Sequence, residues 1–172
     1  MLLLSNNFFN KDVFSLRTGS SVAKTTSAVI NPDNLRIEGL YCSDRFSNKT
    51  LILLFQDIRE FTPKGFFVND HEVLSQPHEL VRIQKILEIN YTLIAKPVET
   101  ISKSKVGKVS DYATDNASFY IQKLYLSQSI LKSFSGGSLI VDRTQINSVT
   151  PKKIIINDLL EKARLSVSPS VV

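Results

Sequence analysis

The sequence predicts an all-β chain: two tandem small β-barrels joined by a short α-helix. Two observations carry that expectation. A set of short apolar segments and turn residues occurs twice in the same order, and within those segments apolar residues either alternate with period two or form short continuous runs. Only one stretch, Leu80, Ile83, Ile86 and Leu87, shows helical spacing, and it falls between the two copies.

In the first copy, residues 1 to 9 form an apolar lead-in that pairs onto the first barrel or covers its edge. Lys11 to Leu16 alternates, and Gly19-Ser20 turns the chain. Ser21 to Ile30, rich in Val, Thr and Ser, suits a strand. Asn31-Pro32-Asp33-Asn34 is a turn, since proline presets φ and Asn and Asp satisfy turn backbone locally. Leu35, Ile37, Gly39 and Tyr41 then mark the inward face of a strand that ends at Cys42. After Ser47-Asn48-Lys49, the run Leu51 to Phe55 suits a strand buried on both faces. Asp57-Ile58 opens the next segment, Thr62-Pro63-Lys64-Gly65 punctuates it, and Phe66-Phe67-Val68 closes the copy at Asn69-Asp70.

Ser75 to Glu79 suits a helix start, with Ser75 as cap, Pro77 in the first turn and Glu79 set against the dipole. A helix of about three turns follows. The second copy repeats the plan. Pro97 to Ile101 matches Asp12 to Leu16, Val106 to Val109 matches Val22 to Thr25, and Gly107 is the point at which the strand turns. Phe119 to Leu126 matches Leu35 to Cys42, placing Phe119, Ile121 and Tyr125 inward. Ser138 to Ile140 matches Thr50 to Ile52, and Gln145-Ile146 matches Asp57-Ile58. Thr150-Pro151-Lys152 and Asn157-Asp158 repeat Thr62-Pro63-Lys64 and Asn69-Asp70 as identities at turns, where backbone geometry selects the residue. The domains are therefore set at 1–74 for the first barrel, 75–92 for the linking helix, 93–160 for the second barrel and 161–172 for a mobile C-terminal tail, with a further helical turn over 159–165. Halves this small bury only about 60% of their chain surface, so the two are expected to support each other.

The charge is unequal. Residues 1–93 hold ten basic and ten acidic side chains; residues 94–172 hold eleven and six, so the whole net charge of +5 belongs to the second half. Lys96, Lys103, Lys105 and Lys108 crowd one stretch, and Lys152 and Lys153 join them if the fold brings the turns together. Such a patch attracts acidic proteins, RNA or an anionic membrane surface over a Debye length of ~8 Å; a solvated, edge-protecting strand face is the simpler alternative. Phe119, Tyr120 and Tyr125 are the aromatic side chains available for stacking bases, although a core role suits them better.

No catalytic or metal-binding constellation stands out. Cys42, the single cysteine, lies in an apolar run with no base beside it, and a chain without a disulfide framework suits a reducing, cytoplasmic setting. His71 and His78, near Asp70, Glu72 and Glu79, lie in a loop and at a helix start rather than in a convergent set. Asp44, Asp57, Asp111 and Asp142 sit at turns without the spacing of an acid–base pair. Ser135-Gly136-Gly137-Ser138 lacks the Lys-Ser/Thr pair and the helix of a phosphate-binding loop, and suits a hairpin turn. Met1 to Leu4 has no preceding positive charge and is interrupted by Asn6 and Asn7, unlike an export signal; no run approaches the ~20 apolar residues of a transmembrane helix.

The ordered set Val98-Glu99-Thr100-Ile101, Lys105 to Tyr112, an alternating strand, Leu139-Ile140-Val141 and Gln145 to Val149 resembles the PRC-barrel domain, found in the C-terminal domain of the ribosome-maturation factor and the cytoplasmic domain of the photosynthetic reaction-centre H subunit. The resemblance covers nearly all of 93–158 and, more weakly, 10–74, where Ala23 stands in place of the family's usual glycine. It implies non-enzymatic work: a protein-binding or scaffold module without cofactor, meeting a partner through a barrel face, with self-association also compatible. The alternative is an RNA- or ribosome-associated assembly factor that uses the basic second barrel.

Overall fold

The computed structural model describes residues 1–127 and 139–158. The expected tail, the helical turn over 159–165 and the Ser135 to Ser138 hairpin turn lie outside the described residues. The described chain is all-β, with thirteen strands and one short α-helix. No helix among the described residues is long and apolar enough to cross a membrane.

Two compact units form. One comprises Met1–Leu93 with Tyr112–Gln122; the other comprises Ile94–Asp111 with the described residues from Lys123 onward. In the first repeat, β2 (Asp12–Ser15), β3 (Ser21–Asn31), β4 (Arg36–Asp44), β5 (Thr50–Leu54), β6 (Ile58–Thr62) and β7 (Gly65–Val68) lie in the order β5-β4-β3-β2-β7-β6. In the second, β8 (Pro97–Thr100), β9 (Lys105–Asp115), β10 (Ile121–Ser127), β11 (Leu139–Asp142), β12 (Ile146–Val149) and β13 (Ile154–Ile156) take the matching order β11-β10-β9-β8-β13-β12. Each order contains one parallel pair, β2 with β7 and β8 with β13, in equivalent register: Val13 faces Phe66 as Val98 faces Ile154. Neither sheet closes into a hydrogen-bonded barrel among the described residues. β5 and β6 end the first order and β11 and β12 the second, and neither end pair shares a ladder.

The repetition extends to single bonds. Both β2–β3 and β8–β9 slip register after their second pair, Val13 and Val98 respectively. Asn10 and Ala95 both have left-handed backbones, φ 57° and 66°, and their N–H groups donate to Thr25 O and Val109 O. Gly19 and Lys103 share φ near 70° (70° and 67°) at the tip of the following turn. The Thr26 and Ser110 hydroxyls donate to Tyr41 O and Tyr125 O. Such agreement in unusual backbone states is what one supersecondary plan used twice produces.

Several local expectations change. Gly107 does not turn the chain. It lies inside the eleven-residue strand β9, opposite Val98 at the register slip, where a small residue eases the bulge. The period-two reading of β4 fails near Glu38, because the ladder passes from Ile37 directly to Gly39 on its side. Ile37, Leu40 and Cys42 are therefore buried and Tyr41 is only half-buried, and Ile121, Leu124 and Leu126 repeat this with Tyr125 turned away from the core. The lead-in does not pair onto the first sheet, since β1 (Leu2–Leu4) adds to β9, Leu2 opposite Asp115 and Leu4 opposite Ala113, but it does cover that sheet's edge, where Phe8 is buried against Phe55 and stacks on Phe61 of β6.

The linking helix is shorter than its apolar spacing suggests. Two 3-10 turns, Pro77–Glu79 and Val81–Ile83, precede α1 (Gln84–Ile89). Leu80 lies between the turns with φ −91° and ψ 64°, outside helical space, and Asn90 at φ 46° ends the helix. Ser75 is no cap; its backbone exchanges hydrogen bonds with Ile52, 2.8 and 3.1 Å, while Glu79 reaches back to the Gln76 N–H at 2.6 Å. The apolar stripe still performs its packing role, since Ile83 and Leu87 are buried with Val29 and Ile52, and Leu80 and Ile86 close over them.

Candidate functional site

The lysines singled out in the sequence belong to the second repeat, and strand alternation decides which of them share a face. Val98, Thr100, Ile154 and Ile156 are buried. With side chains alternating along a strand, Pro97, Glu99, Lys153 and Ile155 point the other way, outward. Across the β8–β9 ladder, Lys108 pairs with Pro97 and Lys105 with Glu99, which puts both lysines on that outward face as well. Lys105, Lys108 and Lys153 thus surround Glu99 on the outer side of β13, β8 and β9.

The six lysines divide by environment. Lys153 Nζ donates to Glu99 Oε2 at 2.6 Å, an ion pair in which the lysine side chain is 40% and the glutamate 22% exposed. Lys96 Nζ donates to Pro151 O at 2.8 Å and braces the β12–β13 turn, as Lys11 Nζ does for Pro63 O at 3.4 Å in the first repeat. Lys103, Lys105, Lys108 and Lys152 are exposed, and no ion pair holds their ammonium groups among the described residues. Lys103 occupies the tip of the β8–β9 turn and Lys152 the β12–β13 turn, where Thr150 Oγ1 both donates to Lys153 O and accepts from its N–H.

Glu99 was not among the residues that the charge pattern selects. Its signal was present in the alternation of Pro97 to Thr100, which turns it outward beside the lysines. Matching the repeats adds another: Glu99, Lys105 and Lys153 stand where the first repeat has Phe14, Ser21 and Gly65, whereas Lys96, Lys108 and Lys152 have counterparts in Lys11, Lys24 and Lys64. Three charged residues of this face thus have uncharged counterparts in the first repeat.

The remaining candidates occupy structural positions. Burial pushes the Cys42 thiol up to about 12, so at neutral pH it is an un-ionised, inert group in the first core. His71 Nε2 lies 2.8 Å from Asp44 Oδ1, and the same carboxylate accepts from the Ser47 hydroxyl. Burial alone would raise Asp44, but the Ser47 and His71 hydrogen bonds outweigh it and hold the carboxyl below its usual value. The serine meets the carboxylate and not the imidazole, so the trio lacks the relay geometry of a hydrolase triad. His78 is exposed at a separate 3-10 turn, and no group of three His, Cys, Asp or Glu converges to hold a metal among the described residues. Asp57 is raised by burial; Asp142 is lowered chiefly by the Thr144 N–H, which it caps at 3.1 Å.

Phe119 stacks on Phe55 with centroids 3.5 Å apart, Tyr120 lies under the Arg36 guanidinium at 5.9 Å, and Tyr125 is opposite Ile140 in the β10–β11 ladder. No known family model matches the chain, and no curated protein matches it.

Proposed function

We propose that the protein is a non-enzymatic protein-interaction or scaffold module of two PRC-like barrel repeats, and that the second repeat meets the partner through its lysines. The observation that carries this reading is the exposure of Lys103, Lys105, Lys108 and Lys152 without ionic partners among the described residues, in a repeat whose basic excess the first repeat does not share. The shared strand order, each with one parallel pair, fits one plan used twice. The buried, un-ionised Cys42 suits a cytoplasmic setting.

RNA is the second reading, and the side chains that β8 and β13 present beside the lysines set it behind the first. Single-stranded nucleic acid binding combines basic grooves with exposed rings on which bases stack. The lysine face carries Glu99 and Ile155 at the positions where the first repeat stacks Phe14 on Phe67 at 5.2 Å.

Affinity purification of the tagged full chain from its own cells tests this reading, with nuclease on a parallel sample and stepwise salt elution. The comparison is with Lys103→Glu/Lys105→Glu/Lys108→Glu/Lys152→Glu and with a first-repeat control, Lys24→Glu/Lys64→Glu. A defined protein set that survives nuclease, persists with the control and is lost with the fourfold variant is the expected result. Association that disappears with nuclease, or that the fourfold variant retains, overturns it.

A further inference from the structure

We propose that the outward face of β13, β8 and β9 binds an acidic segment of the partner protein, and that Glu99 is a resident carboxylate which that segment displaces. This rests on the interaction reading above and assigns the partner's chemistry and the residue that tunes its binding.

Three observations converge. First, Glu99, Lys105 and Lys153 replace Phe14, Ser21 and Gly65 on one face, so an aromatic patch in one repeat has become an ionic patch in the other. Second, the patch is under-neutralised: among the described residues, Lys105, Lys108 and Lys153 face a single carboxylate, Glu99. Third, Glu99 shows where a carboxylate lies on this surface. It accepts from Lys153 at 2.6 Å and stands directly across the ladder from Lys105. Neighbouring strands are about 4.8 Å apart, so Glu99 on the middle strand is between a lysine on each side. An ammonium has three donors, and Lys153 directs one of them at Glu99, leaving the others for a second acceptor.

The same face disfavours RNA. At the pair where the first repeat stacks Phe14 on Phe67, it carries Glu99 and Ile155, which offer no ring for a base to stack on. A peptide carboxylate can take the position of Glu99 itself, while the freed Glu99 swings to water at its partly exposed end. Removing the Glu99 charge should therefore strengthen capture of an acidic peptide. Removing Lys105 and Lys108 should weaken it, and added salt should weaken both.

The test uses the full chain with a labelled hexaglutamate peptide and, separately, a mixed-sequence single-stranded RNA oligonucleotide, followed by fluorescence anisotropy at low and physiological salt. The expected result is binding of the peptide, tightened about fivefold to tenfold by Glu99→Gln and weakened at least about tenfold by Lys105→Gln/Lys108→Gln, with Lys24→Gln unchanged. Thermal melts confirm that each variant is folded, and Glu99→Ala supplies a second form of the same charge removal. No binding of the peptide, no gain in either Glu99 variant, or tighter binding of the RNA than of the peptide overturns the proposal. If the cellular partner is lost with the fourfold lysine variant while the Glu99 variants change nothing, the displacement idea fails and the interaction reading stands. If the fourfold variant keeps its partner, both fail.

Discussion

Leu35 and Phe119 hold each other's neighbours by a reciprocal pair of hydrogen bonds: Ile121 N donates to Leu35 O and Ile37 N to Phe119 O, both at 2.9 Å. Both residues have left-handed backbones, φ 49° and 59°, at equivalent points of the two repeats, so the bridge is locally two-fold. Leucine and phenylalanine tolerate that conformation poorly, at roughly 1–2 kcal/mol each, and side-chain packing offsets it. The Phe119 ring stacks on Phe55 and Leu35 is buried. Phe119→Ala keeps the strained backbone and removes the compensation, so it should cost about 2–4 kcal/mol in urea unfolding.

Ala95 poses the converse case. It is exposed, its φ is 66°, and its first-repeat counterpart is Asn10 in the same well. Asparagine accepts left-handed backbone better than alanine. Ala95→Asn should therefore stabilise by about 0.5–1 kcal/mol, read as a rise in melting temperature with no change in partner binding.

Gly65 should tolerate nothing larger. A Cβ there would fall 2.1 Å from Asp12 O, and its φ of 150° is itself unfavourable for side-chain-bearing residues. The close approach lets β2 and β7 pair from Asp12 onward, one pair earlier than β8 and β13 do. Gly65→Ala should destabilise by about 3 kcal/mol or more, measured by chemical denaturation.

Acid should unfold the protein through its turn aspartates. The Asp70 carboxyl is held below its ordinary value by the His71 N–H, and Asp158 by the Ser102 hydroxyl. Asp12, with Arg45 and Ser21 as partners, and Asp115, with Ser118, are lowered as well. A depressed folded value contributes stability above the unfolded value of about 3.9 and loses it as pH falls through the folded one. Asp57, raised by burial, works in the opposite sense but alone. The melting temperature should thus fall steeply below about pH 4, and Asp70→Asn/Asp158→Asn should flatten that limb. An acid limb unchanged in the double variant would show that these two turns do not set it.

The repeat was legible because its markers are turn residues. Thr62-Pro63-Lys64 and Thr150-Pro151-Lys152 fall at the same β-turns, and Asn69-Asp70 and Asn157-Asp158 end the same strands. What escaped was whatever depends on a partner strand. The slip near Glu38 is a property of the β3–β4 ladder, and alternation counted along β4 alone cannot register it. Gly107 reads as a turn in isolation because glycine suits both turns and bulges. Three leucines at positions 2–4 state a wish to pair without naming Ala113 to Asp115. For the lysines, the sequence supplied the charges, but only register separates Lys105 and Lys108, which share an open face, from Lys96, which is tied to a turn carbonyl.

The pairing of β1 with β9 sets an order of events during vectorial synthesis. Leu2 is made well before its partner Asp115, which lies more than a hundred residues further along the chain. At ordinary elongation rates that delay is on the order of ten seconds, long compared with hairpin formation within the first repeat. For that interval the Leu2 to Leu4 edge is an unsatisfied, apolar strand end. An apolar strand end of this kind gives a nascent-chain chaperone reason to hold it.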